Sequence, residues 1–208
     1  QDLRGKNKEK FTYGELANLI KKVSQAFFAN GLRKGNVVTI ISENSPRWLI
    51  ADQAIMRLGA IDAVRGTNSP SLELEYIISH SNSVGLIVQS KQVWLKLENR
   101  IELKNKLKFI INLEGESCEE LIGWEDFITS KKKDFGKDFS KYSSEIEKAK
   151  ITDIATILYT SGTTGKPKGV PLSHANLLYQ IINLACIADP KPSAAVLSVL
   201  PIWHSYER

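Results

Sequence analysis

The chain has 208 residues, of which 42% are hydrophobic, and its formal net charge is +5. That apolar content is sufficient for one domain or two small lobes. The basic residues form no arginine-rich stripe with interleaved aromatics, so we do not expect nucleic acid as a partner.

Helices and apolar strands alternate along the first half of the chain. The expected elements are, in chain order, a helix with a capping box at Thr12 and Glu15 that ends at Gly31, a strand at 37–41, a helix from Ser45-Pro46 to Gly59, a strand at 61–64, a helix from Ser69-Pro70, a strand at 84–88, a helix near 92–101 and a strand at 109–113. This βαβα order predicts an α/β fold with mostly parallel sheets and helices on both faces.

The alternation breaks between Thr129 and Lys150, where charged and polar residues dominate. We predict a solvated connection there, and contact of Lys131-Lys132-Lys133 with a membrane surface is the alternative. The expected division is therefore a first α/β lobe over residues 1–130, a charged connection over 131–150 and the start of a second lobe over 151–208.

The second half begins with an apolar, β-branched run at 154–159 that predicts a buried strand. After a Gly-rich loop we expect a short strand at 169–172, a helix from Ser173 through Ala188 and a further strand at 195–200.

The Gly-rich loop carries the most informative motif of the chain, Tyr159-Thr-Ser-Gly-Thr-Thr-Gly-Lys-Pro-Lys-Gly-Val170. Its hydroxyls and main-chain amides are hydrogen-bond donors, and its two lysines add positive charge. We interpret its three glycines, Gly162, Gly165 and Gly169, as positions that allow positive φ and close approach to a ligand. Many convergent donors favour a polyphosphate ligand.

Other interpretations of this loop fit less well. A Walker A alignment places Thr160 at the first glycine and Pro167 at the hydroxyl that binds magnesium. A GxGxxG dinucleotide turn is absent. A flexible surface loop is the remaining alternative, but twelve residues in this order are too specific for it.

The motif resembles the phosphate-binding motif of the adenylate-forming (AMP-binding) superfamily. Residues 11–16, 43–46 and 57–60 also resemble the beginning of that superfamily. Ala63-Val64-Arg65-Gly66 departs from its common pattern, in which a proline-containing turn follows the strand, and resembles acyl-ACP synthetases of plastid and cyanobacterial type. The resemblance implies part of the large N-terminal domain of such an enzyme.

The last nine residues, Leu200 to Arg208, form a second informative stretch. By residue type alone a single histidine there is more often structural than catalytic. The stretch resembles the His-containing substrate motif of the superfamily, and its His-x-x-Glu-Arg form resembles the long-chain fatty acid branch. By that resemblance His204 lies near the carboxylate and the α-phosphate, and Trp203 and Tyr206 lie near the acyl entrance. We interpret His174, at a helix start, as structural and His80 as a surface residue at a helix end.

The resemblance implies that ATP and a long-chain fatty acid give acyl-adenylate and pyrophosphate, and that CoA or an acyl carrier protein then takes the acyl group. It assigns catalysis to His204 and Lys168, and Mg²⁺ accompanies ATP through ligands that remain unknown. The residues expected to bind ATP are Thr160, Ser161, Gly162, Thr163, Thr164, Gly165, Lys166 and Lys168.

We expect an N-terminal fragment, because the chain does not begin with Met and stops inside a motif. The resemblance implies that residues which complete the site lie downstream, so the fragment alone is expected to be inactive. A partial, non-catalytic nucleotide-binding module is one alternative, and a kinase or NTPase is another. Polar residues at the start and the absence of a long apolar run predict no signal peptide and no membrane span, and hence a cytoplasmic protein. The resemblance to plastid-type acyl-ACP synthetases implies the plastid stroma as the other location, with peripheral membrane contact as an option. Cys118 and Cys186 lack metal-ligand spacing.

Overall fold

A computed structural model describes residues 10–129, 135–160, 166–184, 194 and 198–204. The helices are α1 (Tyr13–Ala29), α2 (Pro46–Arg57), α3 (Ser71–His80), α4 (Lys91–Leu95), α5 (Arg100–Lys106), α6 (Trp124–Thr129), α7 (Phe135–Glu147) and α8 (His174–Leu184). The strands are β1 (Val37–Ile41), β2 (Ile61–Arg65), β3 (Ser83–Val88), β4 (Phe109–Asn112), β5 (Ile122–Gly123), β6 (Ile154–Thr160) and β7 (Lys168–Ser173).

The seven strands form one sheet in the order β5-β4-β3-β1-β2-β6-β7. Strands β1 to β6 pair in parallel, and β7 pairs antiparallel with β6. The prediction of an α/β fold with a mostly parallel sheet is therefore confirmed. All four carboxyl ends of β1, β2, β3 and β6 lie at one edge of the sheet, since parallel strands share one direction.

Helices cover both faces of the sheet, as alternation along its central strands requires. Ile40 of β1 and Ile87 of β3 belong to a core cluster that includes buried residues of α1, α2, α6 and α7. The neighbouring residues Ile41 and Val88 belong to a second cluster, built on α3, α4 and α5. Both faces of these strands are buried, which explains their continuous apolar sequence.

The predicted start and end of α1 are confirmed. The Thr12 hydroxyl accepts a hydrogen bond from the Glu15 amide at 3.2 Å, and the Glu15 carboxylate accepts one from the Thr12 amide at 2.8 Å. This reciprocal pair satisfies two amides of the first helical turn. Gly31 follows the helix with φ of 85°, a left-handed conformation that glycine adopts without strain.

Two local predictions were wrong. The single helix expected near 92–101 is two short helices, α4 and α5, whose ends Leu95 and Arg100 are separated by a break. The solvated connection expected before residue 150 contains α7, on which Tyr142 is 1% exposed. The Tyr142 hydroxyl contacts Ser24 Oγ at 3.1 Å and accepts from Arg57 Nε at 3.2 Å. A buried tyrosine with both partners anchors this helix to the core.

The expected boundary between two lobes at residue 150 stays a prediction. Strand β6, which follows this boundary in the chain, pairs directly with β2, which precedes it. Lys131-Lys132-Lys133 and residues 185–188 of the predicted last helix lie outside the described residues. The expected strand at 195–200 falls partly outside them, and residues 198–200 are not in a strand.

Candidate active site at the carboxyl edge of the sheet

Described residues of both motifs lie at the edge where β1, β2 and β6 end. Thr160 of the first motif ends β6. The segment 200–204 of the second motif contacts Asn44, which follows β1, and Gly66, which follows β2. Ligand sites of open α/β sheets lie at such carboxyl ends, because the loops that leave adjacent strands meet there.

The predicted phosphate-binding motif runs from the end of β6 to the start of β7, two strands that pair antiparallel. Strand β6 enters the motif and β7 leaves it, and Thr160 and Lys168 form the last cross-strand pair. Ser161, Gly162, Thr163, Thr164 and Gly165 lie outside the described residues, so their predicted roles stay predictions. A strand–loop–strand arrangement differs from the strand–loop–helix of a Walker A motif, which agrees with the exclusion made from spacing.

Two lysines of the motif lie after the turn, where the chain is described again from residue 166. Lys166 and Lys168 are both exposed. The Lys166 ammonium lies 5.7 Å from the centre of the Tyr76 ring, within the range of a cation–π contact. The pairing of Thr160 with Lys168 brings a hydroxyl residue and a cation to the two arms of one hairpin. This arrangement suits a phosphate group between them.

Gly169 corrects the prediction of positive φ at every glycine of the motif. It lies within β7 and is not among the described glycines with positive φ. A Cβ atom at this position would lie 2.9 Å from Ile157 Cγ2 and 3.2 Å from Tyr159 Cζ. Gly169 is therefore required for space between the two strands, and a larger side chain there would displace Tyr159 or Ile157.

Tyr159, the last buried residue before the turn, is held at its ring. Its hydroxyl lies 2.9 Å from Nδ1 of His80, and the His80 ring stacks on Tyr76. Burial raises the pKa of the Tyr159 phenol, the nearby Tyr76 adds to this, and a hydrogen bond with Ser81 opposes it. His80 is exposed, as predicted, but its contact with Tyr159 gives it a structural role that the sequence pattern did not reveal.

The second motif is fixed at the same edge by Asn44. The Asn44 side-chain amide donates to the carbonyl of Leu200 at 2.7 Å, and its oxygen accepts from the amide of Ile202 at 2.9 Å. The amide of His204 donates to the carbonyl of Pro201 at 2.9 Å, which closes a tight turn. One asparagine thus satisfies two main-chain groups of the segment that carries the predicted catalytic histidine.

His204 is exposed, and Trp203 is half-buried against the backbone of Gly66. Tyr206 lies outside the described residues. The structure thus brings Trp203 and His204 to the edge of the sheet at which β6 also ends. Their expected roles beside the carboxylate, the α-phosphate and the acyl entrance stay predictions. The positioning contacts of Asn44 and Arg65 were missed, since both residues act through main-chain atoms that lie far away in the chain.

Two further features of the described residues concern metals and membranes. They contain no group of three or more His, Cys, Asp or Glu side chains that could hold a metal ion. Among the described helices, none is both long enough and apolar enough to cross a bilayer.

The chain matches one family model and is similar to several named proteins. The family model for AMP-binding enzyme matches residues 3–208. A chloroplastic long-chain-fatty-acid–[acyl-carrier-protein] ligase of Arabidopsis thaliana is 34% identical over 96% of this chain. "Probable acyl-activating enzyme 16, chloroplastic", from the same plant, is 38% identical over 95% of it. The chain spans 29% of the length of each of these two relatives.

Solved structures share the fold. A long-chain-fatty-acid-CoA ligase from Archaeoglobus fulgidus superposes with a TM-score of 0.72 at 22% identity, over 99% of this chain and 38% of that one. ATP-bound MatB from Rhodopseudomonas palustris superposes with a TM-score of 0.70 at 23% identity, over 96% of this chain and 37% of that one.

Proposed function

This chain belongs to the family of AMP-binding enzymes, and from that membership we propose that the protein activates a long-chain fatty acid with ATP. The observation that carries this proposal is the meeting of two motifs at one edge of the sheet. The phosphate-binding hairpin, with Thr160 and Lys168, and the turn that carries His204 both lie where β1, β2 and β6 end. In this proposal the hairpin binds the triphosphate of ATP, and the turn beside it binds the carboxylate of the fatty acid.

In the proposed first step, a carboxylate oxygen of the fatty acid attacks the α-phosphorus of ATP. A bond forms between them, and the bond from the α-phosphorus to the pyrophosphate oxygen breaks. Lys166, Lys168 and the hydroxyls of the motif hold the β- and γ-phosphates, where negative charge grows as pyrophosphate leaves. His204 lies beside the α-phosphate and the carboxylate and orients them.

Magnesium enters this scheme with the nucleotide. Mg²⁺ prefers an octahedral shell of phosphate oxygens, water and one or two carboxylates, so it does not require a cluster of protein ligands. Three described residues of the motif, Thr160, Lys166 and Lys168, supply a hydroxyl and cations rather than carboxylates. They fit the phosphates of Mg-ATP rather than the metal itself.

An apolar substrate agrees with the second motif. Members of the superfamily that activate amino acids carry an aspartate in the related region to hold the ammonium group, and residues 200–208 contain no aspartate. A fatty acid requires only an apolar tunnel, in which each buried methylene contributes about 0.8 kcal/mol. Relatives named for long-chain fatty acids or long-chain acyl groups support the same class of substrate.

In the proposed second step, a phosphopantetheine thiolate attacks the acyl carbon and AMP leaves. We favour acyl carrier protein over CoA as the acceptor, because Ala63–Gly66 and residues 201–208 resemble acyl-ACP synthetases. The relative named for this acceptor is 34% identical to the chain, and a relative named long chain acyl-CoA synthetase 2 is 28% identical. Competition between holo-carrier protein and CoA, with palmitate and with octanoate, tests both the acceptor and the chain length.

The deciding experiment is palmitate-dependent exchange between pyrophosphate and ATP, measured on the protein expressed from its full reading frame. Exchange with release of AMP supports the proposal. Release of ADP would instead support a kinase or NTPase. Tight ATP binding without turnover would support a non-catalytic nucleotide-binding module.

We further propose that the protein acts in a plastid stroma, since the two relatives reported above carry the word chloroplastic in their names. A fluorescent protein fused after the full reading frame tests this. Fluorescence confined to the cytosol would contradict it, and fluorescence at a membrane would support peripheral attachment.

A further inference from the structure

We propose that Arg65 is a positioning residue that fixes the strand-to-loop junction of the phosphate-binding hairpin. Its guanidinium Nη1 donates to the main-chain carbonyl of Tyr159 at 3.0 Å. Tyr159 immediately precedes Thr160, the first residue expected to bind phosphate. Arg65 therefore contacts the backbone at the point where β6 becomes the loop.

The geometry of the sheet explains why a side chain is needed there. The parallel ladder between β2 and β6 runs from Asp62 and Thr156 to Val64 and Leu158, and then stops. Beyond this point the main chains no longer pair. The hydrogen bond from Arg65 continues the connection between the two strands by one further residue.

Arg65 is itself held rigidly. Its Nε donates to Glu73 at 2.7 Å and to Ser69 at 2.9 Å, and its Nη2 lies 2.6 Å from the same carboxylate oxygen of Glu73. The side chains of Arg65 and Glu73 are each 21% exposed, which limits screening by water. Two guanidinium nitrogens, Nε and Nη2, share one carboxylate oxygen of Glu73, which holds the guanidinium plane and leaves Nη1 aimed at the carbonyl of Tyr159.

The ion pair also argues against direct phosphate binding by Arg65. Its charge is balanced by Glu73, and three of its donors are used within the protein. Lys166 and Lys168 are the exposed cations of the motif. Arg65 thus acts through Tyr159, whose hydroxyl is held at the same time by His80. Anchors at both its carbonyl and its ring fix the direction in which the loop leaves the sheet.

This inference deepens the proposed function and rests on it for its kinetic consequences. In Arg65→Gln we expect the pyrophosphate exchange rate at saturating ATP and palmitate to fall about 10-fold, the effect of one lost hydrogen bond from a charged donor. We expect the KM for palmitate to stay within about two-fold of the parent's value, because the junction adjoins the residues proposed to bind ATP rather than the fatty acid. Arg65→Lys keeps the ion pair with Glu73 and recovers part of the rate.

Arg33→Gln is the matched control. The Arg33 guanidinium also donates to main-chain carbonyls, those of Phe28 and Leu32, but it precedes β1 at the opposite edge of the sheet. We expect its exchange rate to stay within about two-fold of the parent. Equal losses in Arg65→Gln and Arg33→Gln would mean that only general stability is affected, and would overturn the proposal.

Amide hydrogen exchange decides the inference independently of activity. The peptide that contains residues 159–168 exchanges about 10-fold faster in Arg65→Gln than in the parent, while the same peptide is unchanged in Arg33→Gln. Unchanged protection in Arg65→Gln and in Arg65→Lys overturns the proposal, whatever the kinetics. If the parent shows no palmitate-dependent turnover, the proposed function fails and the protection of this peptide still decides the role of Arg65.

Discussion

Gly66 lies so close to Trp203 that a Cβ atom at residue 66 would be 2.6 Å from Cζ2 of the indole and 2.8 Å from Cη2. Gly66 is not among the described glycines with positive φ, so its backbone does not require glycine. The requirement is space for the indole. The residue after β2 therefore determines where Trp203 of the second motif can lie.

Gly66→Ala should move the indole by about 1 Å, since carbon atoms in contact are separated by about 3.5 Å or more. Trp203 is half-buried and can shift, so we expect a loss of about 1 kcal/mol, the lower end of the cost of overpacking. A misplacement of this size at the acyl entrance can lower kcat/KM for palmitate up to about 100-fold. Steady-state kinetics and a melting curve measure both effects.

Gly14→Ala is the control for this substitution. A Cβ atom at Gly14 would meet nothing within 4 Å, and the residue lies in the first turn of α1. We expect unchanged kinetics and equal or slightly higher stability, because alanine is the better helix former. Kinetics unaffected by Gly66→Ala would contradict a role for Trp203 at the acyl entrance.

Asn44→Asp should loosen the turn that carries His204. The aspartate retains an acceptor for the Ile202 amide, but it loses the donor to the Leu200 carbonyl and places two oxygens against each other. The expected cost is about 1–3 kcal/mol in stability, together with a lower rate of palmitate-dependent exchange. Asn30→Asp is the control, since the Asn30 amide also donates to a main-chain carbonyl, but at the end of α1. Equal kinetics in both variants would argue against a positioning role for Asn44.

Lys168→Ala, Thr163→Ala and Thr164→Ala should each slow adenylation more than they weaken fatty acid binding. A donor aimed at developing charge contributes about 3 kcal/mol in the transition state, or roughly 100-fold in rate. Pyrophosphate exchange at saturating palmitate measures the loss. Lys106→Ala, which removes an exposed cation paired with Glu102 on α5, should leave the rate unchanged. Parent-like rates in all three motif variants would contradict the phosphate-binding assignment.

Glu75 should make folding sensitive to acid. Burial alone raises the pKa of this carboxyl, but hydrogen bonds from Asn99, Glu98 and Ser71 outweigh it, so the pKa lies below its ordinary value. A lowered folded-state pKa means that the unfolded chain binds the proton more tightly. The stabilisation is therefore complete above the unfolded value of about 4.3 and is lost as the pH falls through the folded value.

Glu75→Gln should accordingly cost about 1–3 kcal/mol at pH 7, and the difference from the parent should shrink as the pH falls below about 4. Melting temperatures across that pH range provide the measurement. Glu102→Gln is the control, because its carboxylate is exposed and paired only with Lys106 among the partners described here. A difference that stays constant with pH would mean that the charge of Glu75 is irrelevant to stability.

The local elements could be predicted from the sequence because their causes are local. The capping box at Thr12, the Ser45 cap before Pro46 and the apolar strand at 154–159 each depend on neighbours within a few residues. The order of the motif residues was likewise sufficient to indicate phosphate binding and the superfamily. The α/β class followed from the alternation of these elements.

Only the tertiary structure could decide which elements meet. Arg65 contacts Tyr159 from 94 positions away, and Asn44 contacts Ile202 from 158 positions away. Contacts over such sequence separations produce no periodic pattern in the sequence, because they depend on how strands are ordered in the sheet. The burial of Tyr142 within a polar segment has the same origin. Sequence pattern thus determined most of the local elements and the family, and strand order in the sheet determined which residues hold the two motifs in place.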